Sequence, residues 1–132
     1  MKVLLDTDTA SYIFGRRDEG VSGRFLAYVP GDVAISSITA AELVYGAELN
    51  PSERNRVAVE RALASLVIAP FDTPAARAFG SVRAALQRRG TPIGHIDLLI
   101  AAHALSLDIP LVTNNVREFN RVRGLRVENW LA

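Results

Sequence analysis

The chain has no cysteine. That excludes disulfide staples and thiolate-held metals. Lysine is nearly absent: Lys2 stands alone, and the other fourteen of the fifteen basic residues are arginine. No apolar run reaches ~18 residues, so a membrane-spanning helix is not expected. No N-terminal stretch joins a charged region, an apolar run and a small-residue cleavage site, so a cytoplasmic protein is expected rather than a secreted one. Net charge is only +1, which leaves the class of partner open. A GC-rich genome is the simpler cause of the arginine bias. Arginine also suits bidentate phosphate contacts, so nucleic-acid binding is permitted but not required.

Hydrophobic residues make up 49% of the 132 positions and charged residues 22%, which excludes a disordered chain. The length suits one domain over residues 1–132, with a single sizeable core. No repeat, low-complexity stretch or linker divides it.

Short apolar runs alternate with helical patterns. Lys2 to Leu5, Val33 to Ile35, Val67 to Ala69, Leu111 to Thr113 and Leu125 to Val127 read as strands. Helices are expected around Tyr12 to Phe14 and over Val21–Val29, Thr39–Leu49, Asn50–Leu66, Asp72–Arg89, His95–Leu107 and Val116–Arg121. Asn50-Pro51 looks like a cap followed by a first helical proline, and Asp72-Thr73-Pro74 like another helix start. Strands alternating with helices imply an α/β fold with a parallel sheet covered on both faces.

Three acids stand out. Asp6 directly follows the first strand, where an open α/β sheet meets its ligand crevice. It could equally cap the next helix. Glu42 falls three residues after Thr39, the spacing of a capping box, and on the local pattern that reading leads. Asp97 lies in the first turn of a nearly all-apolar helix, where the helix dipole welcomes any acid but burial demands a partner. If the three converge, protons or a cation must relieve their repulsion. Hard carboxylate oxygens favour Mg²⁺ or Mn²⁺ over zinc. Such an ion can polarise a phosphate and activate water, which is the chemistry of phosphodiester hydrolysis.

Four segments carry a resemblance. They are Val3-Leu4-Leu5-Asp6-Thr7, Ser36-Ser37-Ile38-Thr39-Ala40-Ala41-Glu42-Leu43, Gly94-His95-Ile96-Asp97-Leu98-Leu99-Ile100-Ala101-Ala102, and Val112-Thr113-Asn114-Asn115 with Phe119. Together, in this order and spacing, they closely resemble the PIN-domain nucleases, and more narrowly the VapC-type toxins of bacterial toxin–antitoxin pairs. The likeness spans essentially the whole chain, through Val127-Glu128-Asn129-Trp130. It implies a three-layer α/β/α sandwich with strand order 3-2-1-4-5 and an acidic pocket at the carboxyl edge. It implies Mg²⁺- or Mn²⁺-dependent endoribonuclease activity, with metal-activated water attacking RNA. Asp6, Glu42 and Asp97 fall on the family's metal and catalytic positions, with Asp6 and Asp97 as direct ligands and Glu42 as ligand or orienting group. Many relatives carry a fourth acid where Asn115 stands here, so one catalytic metal is expected, with Asn115 a polar contributor. The resemblance further implies a VapB-like antitoxin, a homodimer and larger toxin–antitoxin assemblies, with tRNA among the family's recurring targets.

Other residues admit two readings. Asp8 serves the site or a helix start. Arg117, Arg121, Arg123 and Arg126 grip RNA or form a solvated patch. His95 touches substrate or is a surface group; His103 is a packing or interface residue. Thr113, at a strand end, supports Asp6 or a metal-bound water. Trp130 and Tyr45 are core or interface aromatics.

Two rivals remain. Asp6-Thr7-Asp8 resembles the nucleophile motif of haloacid-dehalogenase phosphatases, but that chemistry needs a lysine, and Lys2 starts the strand whose other end bears Asp6, ~10 Å away at ~3.3 Å per residue. The second rival is a catalytically inactive PIN interaction module in which each acid only caps or serves a dipole.

Overall fold

The computed structural model describes residues 1–15 and 18–131. Val3–Leu5 forms β1, and all three of its residues are buried. A strand buried on both faces needs no polar alternation, and its neighbours confirm that position. β1 pairs in parallel with β2 (Val33–Ser36), aligning Leu5 with Ile35, and with β4 (Leu111–Val112), aligning Leu5 with Val112. β3 (Val67–Ala69) extends the sheet beyond β2, and β5 (Val127–Glu128) extends it beyond β4. All four ladders are parallel and the order is β3-β2-β1-β4-β5, as expected.

The pleat divides the core in two. Val3, Leu5, Val33, Ile35 and Val112 point to one face. There they meet α1 (Thr7–Phe14), α2 (Glu19–Leu26), α3 (Ser37–Leu49) and α4 (Glu53–Ser65) through Ala10, Ile13, Val21, Leu43 and Ala62. Leu4, Ala34 and Leu111 point to the other face. They meet α5 (Thr73–Arg88), α6 (His95–Leu107) and the single turn α7 (Val116–Phe119) through Leu86, Leu98, Ala101 and Phe119. Each large side chain so buried contributes ~1.5–3 kcal/mol against exposure. Trp130, also buried, stacks on Tyr28 at 5.5 Å and ties the end of the chain to the first layer.

Several boundaries differ from the pattern-based expectation, each for a local reason. α4 is capped by Ser52, whose hydroxyl accepts from the Asn55 amide, not by Asn50. Asn50 instead closes α3, its amide bonding the Gly46 carbonyl, so Pro51 lies between the helices. Asp72 caps α5 with Pro74 in the first turn, as read. α2 stops at Leu26, short of Val29. β5 begins at Val127 because Gly124, at φ 83°, turns the chain just before it. Tyr45 is 65% exposed, which rules it out of this chain's own core. Among the described residues, no helix is long and apolar enough to cross a membrane.

Candidate active site

The carboxyl ends of β1, β2 and β4 open at one edge of the sheet, and each hands the chain to a polar residue there: Asp6, Ser36 and Thr113. Asp6 is 5% exposed and caps α1, its Oδ1 accepting from the Thr9 amide at 2.9 Å. The cap is therefore made by a side chain that stands at the carboxyl edge of the sheet. Burial pushes its carboxyl up, and Asp8 adds to this, while hydrogen bonds from Thr113 and Thr9 pull the other way. Thr113 is fully buried, and its Oγ1 also accepts from the Asn115 amide at 3.0 Å. It thus joins Asp6 to the loop that follows β4.

The capping-box reading of Glu42 does not hold. α3 starts at Ser37 with Ser36 as its cap, the Ser36 hydroxyl accepting from the Ile38 amide at 3.0 Å. Glu42 is then in the second turn, too far along to reach a cap amide. Its carboxylate instead accepts a short hydrogen bond from the Thr7 hydroxyl, which also lies 3.3 Å from the Thr39 hydroxyl. Beneath the cap, His103 is fully buried, and the Ser36 hydroxyl is 2.8 Å from its Nδ1. Burial holds the imidazole below its ordinary pKa, so the ring that shares this hydrogen bond with Ser36 is neutral. Phe71 packs edge-on at 5.3 Å. His103 is a packing residue that anchors the start of α3, as one of its two readings had it.

Asp97 sits in the first turn of α6, behind a glycine cap that offers no side-chain bond. Its carboxyl is pushed up to about 7, first by burial, then by hydrogen bonding and charge from Glu118, then by the charges of Asp6 and Glu42. Three acids from three other elements thus act on one carboxyl. Sequence reasoning passed over Glu118. It lies on α7 and accepts from the Gly94 amide at 3.1 Å and from the Asn115 side-chain amide. Burial opposes its ionisation, but bonds from Gly94, Asp97 and Asn115 outweigh that and hold it below the usual carboxylate range. A protonated Asp97 donating to an ionised Glu118 satisfies both. The available signal was the spacing Asn115-x-x-Glu118, an acid one helical turn beyond the polar residue already singled out. The corner that an asparagine leaves uncharged therefore receives its acid from α7.

The remaining residues separate. Lys2 pairs with Asp32 at 3.6 Å, at the opposite edge of the sheet, so no lysine serves Asp6. Arg126 binds the Asp108 carbonyl and carboxylate, at the end where β4 and β5 begin. Arg121 binds the Pro92 carbonyl at 3.1 Å and acts electrostatically on Glu118. Arg117 is exposed on α7. The basic stretch is therefore split between the acidic edge and the far edge. His95 is exposed and lines a cleft with α5 rather than joining the acids.

Among the described residues, no three acid or histidine side chains stand close enough to make a finished metal shell. The donor set nevertheless suits a hard divalent cation: carboxylates only, gathered until one is pushed up to about 7, with Asp6, Glu42 and Asp97 absent from the ion pairs described.

This order of strands, with acids brought to one edge from β1, α3, α6 and α7, has known counterparts. The PIN domain family matches residues 3–125. The tRNA(fMet)-specific endonuclease VapC of Salmonella typhimurium is 43% identical over 131 residues, covering 98% of both chains. The chain belongs to the PIN-domain family, in its VapC ribonuclease branch. Ribonuclease VapC2 of Haemophilus influenzae is also 43% identical, over 99% of both chains. Among solved structures, DNA-bound VapBC from Salmonella typhimurium superposes with a TM-score of 0.93 at 43% identity, over 98% of both chains. VapBC2 of Rickettsia felis, bound to a promoter DNA fragment, gives 0.91 at 34% identity over 98% of this chain and 99% of that one. Membership in this branch sets aside the phosphatase reading, which the position of Lys2 had already weakened.

Proposed function

We propose that this PIN-domain protein is a magnesium-dependent endoribonuclease and the toxin of a VapBC-like pair, held in check by a cognate antitoxin. The observation that carries the chemistry is the gathering of Asp6, Glu42 and Glu118 around Asp97, whose carboxyl is pushed up to about 7 by burial first and then by these acids. A chain keeps such repulsion where a cation is to relieve it. The full-length match to VapC ribonucleases supports RNA as substrate, and the name of the Salmonella relative makes tRNA(fMet) the first target to try. Structures of relatives as VapBC complexes support the antitoxin.

Asp6 and Asp97 would hold the ion, with Glu42 beside them; Mn²⁺ would substitute for Mg²⁺. The ion would supply Lewis-acid polarisation of a phosphodiester and a lowered pKa for water. The chain's own part is positioning. Thr7 fixes the Glu42 carboxylate in one direction. Thr113 and Thr9 orient Asp6. Glu118 takes the Asp97 proton in a hydrogen bond and is itself braced by Gly94 and Asn115. Arg121, which acts on Glu118, and Arg117, exposed on the same short helix segment, suit backbone phosphates.

The test uses the chain purified away from any antitoxin, incubated with total tRNA in Mg²⁺, in EDTA, and as Asp6→Ala and Asp97→Ala. Cleavage should require Mg²⁺ and vanish in both variants. Cleavage that survives EDTA or both substitutions would overturn the reading. Binding and silencing by the product of an adjacent small reading frame tests the antitoxin.

A further inference from the structure

The α5–α6 corner holds a cleft that the acidic site does not use. Its volume is about 120 Å³. The floor is apolar: Leu86, Ile93 and Leu98 are all buried. The rim is polar: Arg83, Gln87 and His95 are all exposed. Arg83 is held over the Phe79 ring, with its guanidinium carbon 5.8 Å from the centroid.

The cleft adjoins the acidic edge through the chain itself. Gly94, between Ile93 of the floor and His95 of the rim, donates its amide to Glu118. Asp97 is two residues beyond His95 on the same helical turn. The loop carrying the cleft is also fastened to the α7 segment, by Arg121 on the Pro92 carbonyl and Arg89 on the Arg121 carbonyl. Arginines therefore line the route from α7 to the cleft.

We propose that this cleft receives one splayed-out base of the RNA, a nucleotide or two from the bond that is cut, and gives the enzyme its base preference. The inference rests on the ribonuclease reading and deepens it. Single-stranded RNA is recognised by bases turned out of the stack, laid on apolar, aromatic or guanidinium surfaces and read along their edges by hydrogen bonds. An apolar floor, an imidazole and a guanidinium at the sides, and one side-chain amide meet those needs. Gln87 offers both a donor and an acceptor, which suits the mixed donor and acceptor edge of a base. The flanking arginines then hold the phosphates on either side of the displaced base.

The test uses a pool of short oligoribonucleotides, each randomised at one position, cleaved with Mg²⁺ and sequenced. Wild type should show a preference at one position near the cut. His95→Ala and Gln87→Ala should flatten that preference. On the preferred oligonucleotide they should raise KM about tenfold, the size of one lost base stack, with the loss falling on KM more than on kcat. Arg56→Ala, on the exposed Glu53–Arg56 pair of α4, is the control and should alter neither. Cleavage with no base preference, or a preference unmoved in both variants, overturns the cleft and leaves the ribonuclease reading standing. Failure of wild type to cut any RNA in Mg²⁺ overturns both.

Discussion

Replacing Asp97 with asparagine should stabilise the metal-free protein at high pH and leave it nearly unchanged at low pH. The folded carboxyl titrates at about 7, against an ordinary value of 3.8. An acid raised in this way binds its proton more tightly in the fold than in the unfolded chain. Below the ordinary value the carboxyl is neutral in both states and costs nothing. As pH climbs from 3.8 to about 7 the unfolded chain ionises freely while the fold resists, so stability falls. Above that range the cost is complete. Each unit of displacement is worth ~1.4 kcal/mol in full. Asp97 is only half-buried, so solvent screens the repulsion and leaves about 1–2 kcal/mol. For a chain of this size that is roughly 3–8 °C in Tm. Asparagine keeps a donor toward Glu118, so it reproduces the protonated acid and loses nothing at pH 5. The assay is thermal unfolding by circular dichroism in EDTA at pH 5 and pH 8.5. The Tm gain should be largest at pH 8.5 and less than half as large at pH 5, where only part of the range from 3.8 to about 7 has been crossed. Added Mg²⁺ should raise the wild-type Tm most at the higher pH, and the variant's far less. An equal gain at both pH values, or a loss at pH 8.5, would refute the charge-repulsion argument.

Other expectations follow from the same contacts. Thr7→Val removes the hydroxyl that holds Glu42 and should cut kcat by ten-fold or more while moving Tm little, because the bond is only part-buried; an unchanged kcat would remove Thr7 from the site. Arg117→Ala should reduce the salt dependence of RNA binding by about one phosphate contact, whereas Arg126→Ala, tied to Asp108 at the far edge, should leave that slope intact; equal effects in fluorescence-anisotropy titrations would contradict the division of the basic stretch. Ile35→Ala, at a fully buried position of β2, should cost ~2–5 kcal/mol by denaturant unfolding. A cost below 1 kcal/mol would mean the first layer repacks more freely than its close fit implies.

How much of this was legible beforehand depends on the range of the interaction. Leu4 and Leu5 read as a central strand because a strand buried on both faces is apolar throughout, and that signal is local. The Asp72 cap read correctly because cap, proline and helix are neighbours in the chain. Thr39-x-x-Glu42 misled for the same reason: the pattern was sound, but Ser36 had a buried histidine from α6 to support it and started the helix earlier. Asn50 misled because a second demand, closing α3, fell on the same residue. Glu118 passed unseen because α7 is a single turn, too short to display a periodicity.

The amino-acid sequence by itself determined the alternation of strand and helix, the absence of thiol chemistry and the position of Asp6 at a strand end and Asp97 at a helix start. These depend on residues a few positions apart, where the backbone dictates the geometry. Its likeness to a known family supplied the strand order. The tertiary structure alone decided which group faces which. Glu42 meets Thr7 across 35 residues, and Asp97 meets Glu118 from another helix. A side-chain hydrogen bond is won or lost over less than an ångström, and that distance is set by how the layers pack rather than by spacing along the chain.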